Sequence, residues 1–170
     1  MKLTSRDIAI INFIEENKGA TIEQLQQLFF TSYDMASKRL RKLSNNNFLK
    51  VNIHPVLGKK VYYLKRIPSY HSLVVNEFII LYKDKIKFMQ REYNIKNFKV
   101  DCIFILKMGK IIILEVDIYN RTKENKIKEI LKLLEQTKVE VEFIVVCQQK
   151  RRKKSDLAKY IRIEEIKNIK

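Results

Sequence analysis

Glycine and proline are scarce in this chain, and their positions divide it into segments of regular structure. The 170 residues include three glycines and two prolines. Both residue types are strong local breaks, because glycine adopts a left-handed backbone easily and proline lacks an amide hydrogen. Gly19 follows a first helical pattern, and Pro55 and Gly58 interrupt a pair of apolar strands. Pro68 precedes a further helix, and Gly109 separates two more strands.

Three short helical patterns precede the first pair of strands. Ser5 is predicted to cap the first helix, in which apolar side chains recur at helical spacing. Thr21 is predicted to cap the second, because Gln24 stands at the capping-box position, and Ser32 to cap the third. The predicted elements are helices over 5–17, from Thr21, and from Ser32 to about Asn46, followed by strands over Phe48–Ile53 and Lys60–Leu64.

The composition favours a globular protein with a polyanionic partner. Hydrophobic residues make up 46% of the chain, which excludes a disordered polymer, and no apolar run approaches the ~20 residues of a membrane-spanning helix. The net charge of +16 points first to nucleic acid. Abundant Lys, Ile and Asn with little Gly also fit an AT-rich genome, so part of the lysine content is compositional.

The third helix is the predicted DNA-reading element. Its apolar stripe of Ala36, Leu40 and Leu43 leaves a basic face opposite, and the order of three helices and a hairpin is that of a winged helix-turn-helix. Lysine and arginine at such a helix reach base edges in a major groove, while the hairpin, with Lys59 and Lys60 predicted at its tip, lies across phosphates. The residues predicted to contact DNA are Ser32, Tyr33, Ser37, Lys38, Arg41, Lys42, Lys59 and Lys60. The alternative is a protein–protein module with a solvated charged face.

The second half is predicted to run α-β-β-α-β-α. The helical pattern over 70–91 is interpreted as a bridge between domains, and a basic run, Lys150–Lys154, precedes a last helix capped by Ser155. The other predicted elements are strands over Phe98–Leu106, Ile111–Asp117 and Val139–Cys147 and a helix over 122–136.

Three acids on otherwise apolar strands form the candidate chemical site. Asp101 lies near the start of one predicted strand, and Glu115 and Asp117 lie two residues apart at the end of the next. Side chains two apart on a strand point to the same side of the sheet. Buried acids are costly unless they are paired, solvated or bound to a cation, and Mg²⁺ prefers such oxygen ligands. The acids are therefore candidate metal ligands, or a structural network.

The order of these acids resembles the PD-(D/E)xK nuclease fold, in which an acid on one strand precedes acid-x-Lys on the next. Asp101 and Glu115 match the two acids, whereas Asp117 stands where the family has lysine. The resemblance implies that Lys126 or Lys128 of the following helix takes the place of that lysine near the attacked phosphate. The catalytic set implied is Asp101, Glu115, Asp117 and Lys126, with Mg²⁺ held by the three acids.

Three longer stretches carry a more specific resemblance. Tyr70–Asn76 resembles a His-x-Leu-x-Val segment, Val100–Phe104 resembles a Pro-Asp-Ala strand start, and Leu114–Asp117 with Arg121-Thr122 resembles a Glu-Val-Asp-Arg-Gly-Thr block. These segments are typical of the replication-relaxation family of low-GC plasmids, phages and conjugative elements, which the chain resembles over roughly residues 5–150. The resemblance implies DNA binding linked to replication, transfer or regulation of a mobile element, and it does not imply cleavage.

The sequence therefore predicts an α+β chain with two domains. A winged helix-turn-helix DNA-binding domain is expected over residues 1–68, and an α/β nuclease-like domain of the PD-(D/E)xK type over residues 69–170. The expected function is double-stranded DNA binding in replication, transfer or transcriptional control of a mobile element, with an inactive nuclease-like domain. The alternatives are a metal-dependent endonuclease or nickase and a protein-interaction module.

Partners and location follow from the same observations. The expected partners are double-stranded DNA and a second copy of the chain, because duplex readers of this size commonly use two half-sites. No membrane, small-molecule substrate or cofactor is expected, unless Mg²⁺ serves an endonuclease. The first residues hold no apolar signal segment, so a cytoplasmic protein is expected. Cys102 and Cys147 are expected to behave as small apolar residues.

Overall fold

The computed structural model describes residues 1–149 and 155–168, so the basic run at 150–154 lies outside the described residues. The chain divides into two compact units, Met1–Ile80 and Leu81–Lys170. This division falls after residue 80, whereas the sequence predicts a boundary after residue 68. No helix in the described residues is long and apolar enough to cross a lipid bilayer.

The first unit combines helices with a small antiparallel sheet in the strand order β1-β3-β2. The three predicted helices and both predicted strands are present. The unit has in addition a two-residue strand, β1. The elements are α1 (Ser5–Asn17), β1 (Ala20–Thr21), α2 (Ile22–Phe29), α3 (Tyr33–Asn45), β2 (Lys50–Ile53), β3 (Lys60–Tyr63) and α4 (Tyr70–Tyr82).

Residues 70–80 of α4 belong to the first unit because polar groups of α2 and of Gly19, just before β1, bind them. Asn76 donates to the Gly19 carbonyl at 2.8 Å. Gln24 donates to the Leu73 carbonyl at 2.8 Å and to Glu77 Oε1 at 2.7 Å. These hydrogen bonds are buried or partly buried, and a buried polar group that lost its partner would lower the stability. They explain why the compact unit continues past the predicted boundary.

Each of the first three helices begins at a side-chain cap. Thr21 and Gln24 exchange hydrogen bonds at 3.2 Å, and the Ser32 hydroxyl accepts from the Met35 amide at 3.3 Å, as predicted. The cap of α1 is Thr4 and not Ser5. Asp7 explains the shift, because its Oδ2 accepts from the Thr4 amide and hydroxyl, both at 2.7 Å.

The core of the first unit lies between α1, α2 and α3. Asp7 is fully buried at its edge and forms a bidentate ion pair with Arg39 of α3, in which Arg39 Nε donates to Asp7 Oδ1 at 2.7 Å and Nη2 donates to Oδ2. Planar guanidinium–carboxylate pairs fix orientation as well as charge. This pair therefore sets the position of α3 on α1. The apolar side chains between the helices include Ile10, Ile14, Leu25, Ala36, Leu40 and Leu43.

The second unit is built on a five-stranded mixed sheet in the order β4-β5-β6-β7-β8. The first three strands are antiparallel, and β6, β7 and β8 run parallel, with α5 between β6 and β7. The elements are β4 (Ile86–Ile95), β5 (Phe98–Leu106), β6 (Ile111–Asp117), α5 (Glu124–Glu135), β7 (Val141–Cys147), β8 (Lys159–Arg162) and a 3-10 helix (Ile163–Asn168).

Two sequence predictions for this unit are wrong. The helix predicted over 70–91 ends at Tyr82, and residues 86–95 form the edge strand β4 instead. The helix predicted after Ser155 is replaced by the short strand β8 and the 3-10 helix. Both strands exist because they pair with neighbouring strands, β4 with β5 and β8 with β7. The spacing of apolar residues along the sequence does not show which segments pair as strands.

Helix α5 covers part of one face of this sheet. Ile127 and Ile130 are fully buried in a cluster that includes Ile113, Phe143 and Val145. Both cysteines are buried thiols, and burial raises the pKa of Cys102 to about 12. The prediction that they behave as small apolar residues is confirmed.

We expect Asp7→Asn to destabilise the first unit by about 2–3 kcal/mol. This is less than the ~3–5 kcal/mol lost on breaking a fully buried pair, because the Arg39 side chain is 25% exposed. Native-state amide exchange of α1 and α3 in the full chain measures the loss. Glu16→Gln, an exposed substitution on the same helix, is the control. Equal amide protection in the two variants would contradict a supporting role for the pair.

Candidate nucleic-acid interface and carboxylate site

The outer face of α3 presents most of the residues predicted to contact DNA. Ser32, Tyr33, Lys38, Arg41 and Lys42 are exposed, and Ser37 is half-buried beside them. The sequence pattern also places Arg39 within this basic cluster, but its side chain turns back to Asp7. The Arg39 guanidinium holds the pKa of Asp7 well below its usual range. Three cations of the helix, Lys38, Arg41 and Lys42, therefore remain on the outer face.

A groove beside α3 extends this surface toward the start of α1. It encloses about 660 Å³ and is lined in part by Arg6, Phe30, Met35, Lys38 and Lys42. The Arg6 guanidinium lies 5.3 Å from the centre of the Phe30 ring, within cation–π range. Sequence reasoning missed Arg6, because only the packing of α1 against α3 brings it to this face. It also missed Met35, an exposed apolar residue of α3 itself.

The loop between β2 and β3 differs from its predicted form. Lys59 and Lys60 lie at its base and not at its tip, since the His54 amide donates to the Lys59 carbonyl and Lys60 pairs with Ile53. The Lys59 ammonium is also 2.8 Å from Glu23 Oε1 of α2. The tip is formed by residues 55–58. Both lysines are exposed, and Lys59 is in addition ion-paired with Glu23.

His54 holds this loop in place. It is 2% exposed, its Nδ1 accepts from the amides of Val56 and Leu57 at 3.2 Å, and its Nε2 lies 3.1 Å from the Pro68 carbonyl oxygen. These partners require a neutral ring with the hydrogen on Nε2. His54 is thus a structural residue of the hairpin that the sequence reasoning did not single out.

In the second unit, the carboxylates lie where β5 and β6 separate. The ladder between these strands ends at Cys102 and Leu114, while β6 stays paired with β7 as far as Asp117. The Val116 amide donates to Asp101 Oδ2 at 2.7 Å. A side-chain carboxylate thus acts as a backbone acceptor here, which satisfies a buried N–H group.

Glu115 is the most enclosed of the three acids and pairs with Lys126. It is 7% exposed, and the Lys126 ammonium donates to its Oε1 at 2.5 Å. The same ammonium donates to the Lys99 carbonyl at 2.6 Å. Of the two lysines that the sequence offered, the structure brings Lys126 to the site, while Lys128 is exposed on α5.

Thr122 links the two acids at the end of β6. Its hydroxyl lies 2.7 Å from Asp117 Oδ1 and 3.3 Å from Glu115 Oε2. Its amide lies 3.1 Å and 3.0 Å from the two oxygens of Asp117. In the sequence, Thr122 stands out only as part of a family block. Its position five residues after Asp117 gives no other signal of this contact.

Burial is the main influence on the charge of Glu115. It raises the pKa of this carboxyl, and the nearby charge of Asp101 acts in the same direction. Hydrogen bonds from Lys126 and Thr122 act in the opposite direction. The carboxylate is thus held in a poorly solvated position by donors from its own chain.

Each of the three acids has a hydrogen-bond or ion-pair partner within its own chain. Among residues 1–149 and 155–168, no group of three or more His, Cys, Asp and Glu side chains is placed so that it could hold a metal ion. The oxygens of Asp101, Glu115 and Asp117 are directed to an amide, an ammonium and a threonine. These three acids were the predicted Mg²⁺ ligands.

No protein-family profile and no curated protein sequence matches the chain. Among solved structures, a repair endonuclease from Pyrococcus abyssi is similar at 15% identity and a TM-score of 0.34, covering 61% of this chain and 57% of that one. A complex of EndoMS with double-stranded DNA is similar at 16% identity and a TM-score of 0.36, covering 67% and 63%. The chain thus spans about three fifths of the length of these structures.

We expect Glu115→Gln to change how stability depends on pH. The pKa of Glu115 is raised on folding, so the folded chain takes up this proton at a higher pH than the unfolded chain. The Glu115 carboxyl therefore contributes less to the free energy of unfolding as the pH rises from 4.5, the ordinary glutamate pKa, through the raised pKa of the folded chain. Urea unfolding at several pH values measures the wild-type stability minus that of the variant.

This difference is expected to decrease with rising pH over that interval. Glu135→Gln, at the exposed end of α5, is the matched control and should keep the wild-type pH profile. A constant difference between wild type and Glu115→Gln across the interval would refute the assigned direction.

Proposed function

We propose that the protein binds double-stranded DNA through α3 and the β2–β3 hairpin, as a winged helix-turn-helix. The observation that carries the proposal is the exposed cationic face of α3, with Lys38, Arg41 and Lys42 outward and Arg39 anchored inward. The element order α1-β1-α2-α3-β2-β3 and the sheet order β1-β3-β2 support it, since three helices and a hairpin make up this motif.

The proposed DNA contacts divide by chemistry. A helix with exposed lysine and arginine suits the major groove, where both residues pair with guanine. Ser32, Tyr33 and Ser37 lie near the start of this helix and suit either a base edge or a phosphate. Lys60 and the loop over 55–58 suit the neighbouring backbone. Lys59 contributes less, because Glu23 already neutralises it.

The biological role proposed is replication, transfer or transcriptional control of a plasmid, phage or conjugative element. It rests on the resemblance to the replication-relaxation family. We further propose that the protein acts in the cytoplasm and binds as a homodimer, because paired half-sites multiply the specificity of a small reading helix. The net charge of +16 supports strong, salt-dependent association with a polyanion.

The second unit is proposed as a nuclease-like scaffold that does not cleave DNA. Its carboxylates carry the order of acids that resembles the PD-(D/E)xK pattern, and Asp117 occupies the usual lysine position. Glu115 is paired with Lys126, and Asp117 is held by Thr122. The alternative function is a metal-dependent endonuclease that uses these acids and Lys126. The plasmid-cleavage experiment tests it.

We expect Lys38→Ala/Arg41→Ala to weaken duplex binding at least tenfold near physiological salt. Each of the two side chains contributes about 1–3 kcal/mol if it binds a base edge, or about one unit of salt slope if it binds a phosphate. Fluorescence anisotropy across a series of salt concentrations measures both quantities. Lys128→Ala/Lys132→Ala removes the same charge from α5 and is the control. Equal weakening by the two double variants would reject α3 as the reading element.

A second experiment tests the absence of cleavage. Supercoiled plasmid is incubated with the protein and EDTA, Mg²⁺ or Mn²⁺, and the products are separated on a gel. We expect retarded but intact plasmid in every lane, because Lys126 and Thr122 compete with a metal ion for oxygens of Glu115 and Asp117. Nicked or linear product that requires metal and disappears in Glu115→Ala would instead establish the endonuclease.

A further inference from the structure

A buried carboxylate needs a compensating charge, and the second unit supplies one from its own chain. Glu115 and Asp117 are 7% and 9% exposed, at the end of a strand whose other side chains are apolar. An isolated charge in such a position is very unfavourable, whereas a paired and hydrogen-bonded one is tolerated. An ionised Glu115 therefore needs a metal ion or a basic side chain beside it.

Lys126 meets this requirement by geometry. It lies in the first turn of α5, and its ammonium is 2.5 Å from Glu115 Oε1 and 2.6 Å from the Lys99 carbonyl oxygen. A carboxylate oxygen and a backbone carbonyl oxygen, which the ammonium binds here, are also the kinds of ligand that hard divalent cations use. The Lys126 side chain is 26% exposed, so its ammonium is partly withdrawn from water.

The neighbouring oxygens are satisfied in the same way. Asp101 Oδ2 accepts from the Val116 amide, and Thr122 contacts both Asp117 and Glu115. A divalent cation at Glu115 would lie within a few ångströms of the ammonium, and like charges this close repel strongly in a poorly solvated site. A divalent cation at Glu115 Oε1 would have to displace the Lys126 ammonium from that oxygen.

We propose that Lys126 is the resident cation of the carboxylate cluster, and that its ammonium keeps divalent metal ions out of the native protein. This inference deepens the proposal that the second unit does not cleave DNA and rests on it. The lysine is then a structural counter-ion that joins α5 to β5 and β6. Its removal leaves Glu115, with Asp101 and Asp117 nearby, without that counter-ion and opens a site for Mn²⁺ or Mg²⁺.

The experiment is a Mn²⁺ titration of the full chain without DNA, followed by calorimetry and by the shift in thermal unfolding. Five proteins are compared: wild type, Lys126→Ala, Lys128→Ala, Glu115→Gln and Lys126→Ala/Glu115→Gln. We expect Lys126→Ala to be less stable than wild type, to bind Mn²⁺ saturably at concentrations at least tenfold below any at which wild type responds, and to regain stability when Mn²⁺ is added. Wild type and Lys128→Ala should show no saturable binding, and the double variant should not show the increase in affinity.

Two results would overturn the inference. One is Mn²⁺ binding to the wild-type protein that disappears in Glu115→Gln, and the other is folded Lys126→Ala that shows no increase in affinity. Lys126→Gln, which still donates a hydrogen bond, replaces Lys126→Ala if that variant does not fold. Metal binding by wild type without plasmid cleavage would overturn the inference alone, whereas cleavage would also overturn the proposed function.

Discussion

A single buried carboxylate, that of Asp7, fixes how α3 is held in the first unit. It caps α1 through Thr4 and binds Arg39 of α3 in a bidentate pair. Because this pair withdraws one arginine from a cationic helix, Lys38, Arg41 and Lys42 make up its outer charge. One cation of α3 thus serves the packing of the helix and three form its exposed face, whose orientation depends on an ion pair inside the protein.

In the second unit, too, a buried carboxylate is paired with a basic side chain of the same chain. Where β5 and β6 separate, the ladder between them ends and three acids collect there. A nuclease would neutralise such a cluster with a metal ion. Here the ammonium of Lys126 and the hydroxyl of Thr122 bind these oxygens instead. The order of acids characteristic of a catalytic site is therefore compatible with a scaffold.

Features that depend on neighbours a few residues away were predicted well from the sequence. The caps at Thr21 and Ser32 are local hydrogen bonds, and the helices that follow them were correctly placed. The first six residues of the strand over 86–95 were predicted as helix, because this edge strand has exposed polar residues such as Lys87 and is stabilised by pairing with β5. The inward role of Arg39 is likewise not visible among its basic neighbours in the sequence, since its partner lies in another helix. Lys126 was one of two candidates, and only the packing of α5 distinguishes it from Lys128.

The most informative measurement is an NMR titration of the ¹⁵N-labelled full chain with a duplex of about 20 base pairs, long enough for two half-sites one helical turn apart. We expect the largest amide shift changes in residues 32–42 and in the hairpin over 55–60. They should weaken together as salt is added, because phosphate contacts release counter-ions. Changes confined to residues 81–149, with α3 unaffected, would contradict the assignment of DNA binding to the first unit.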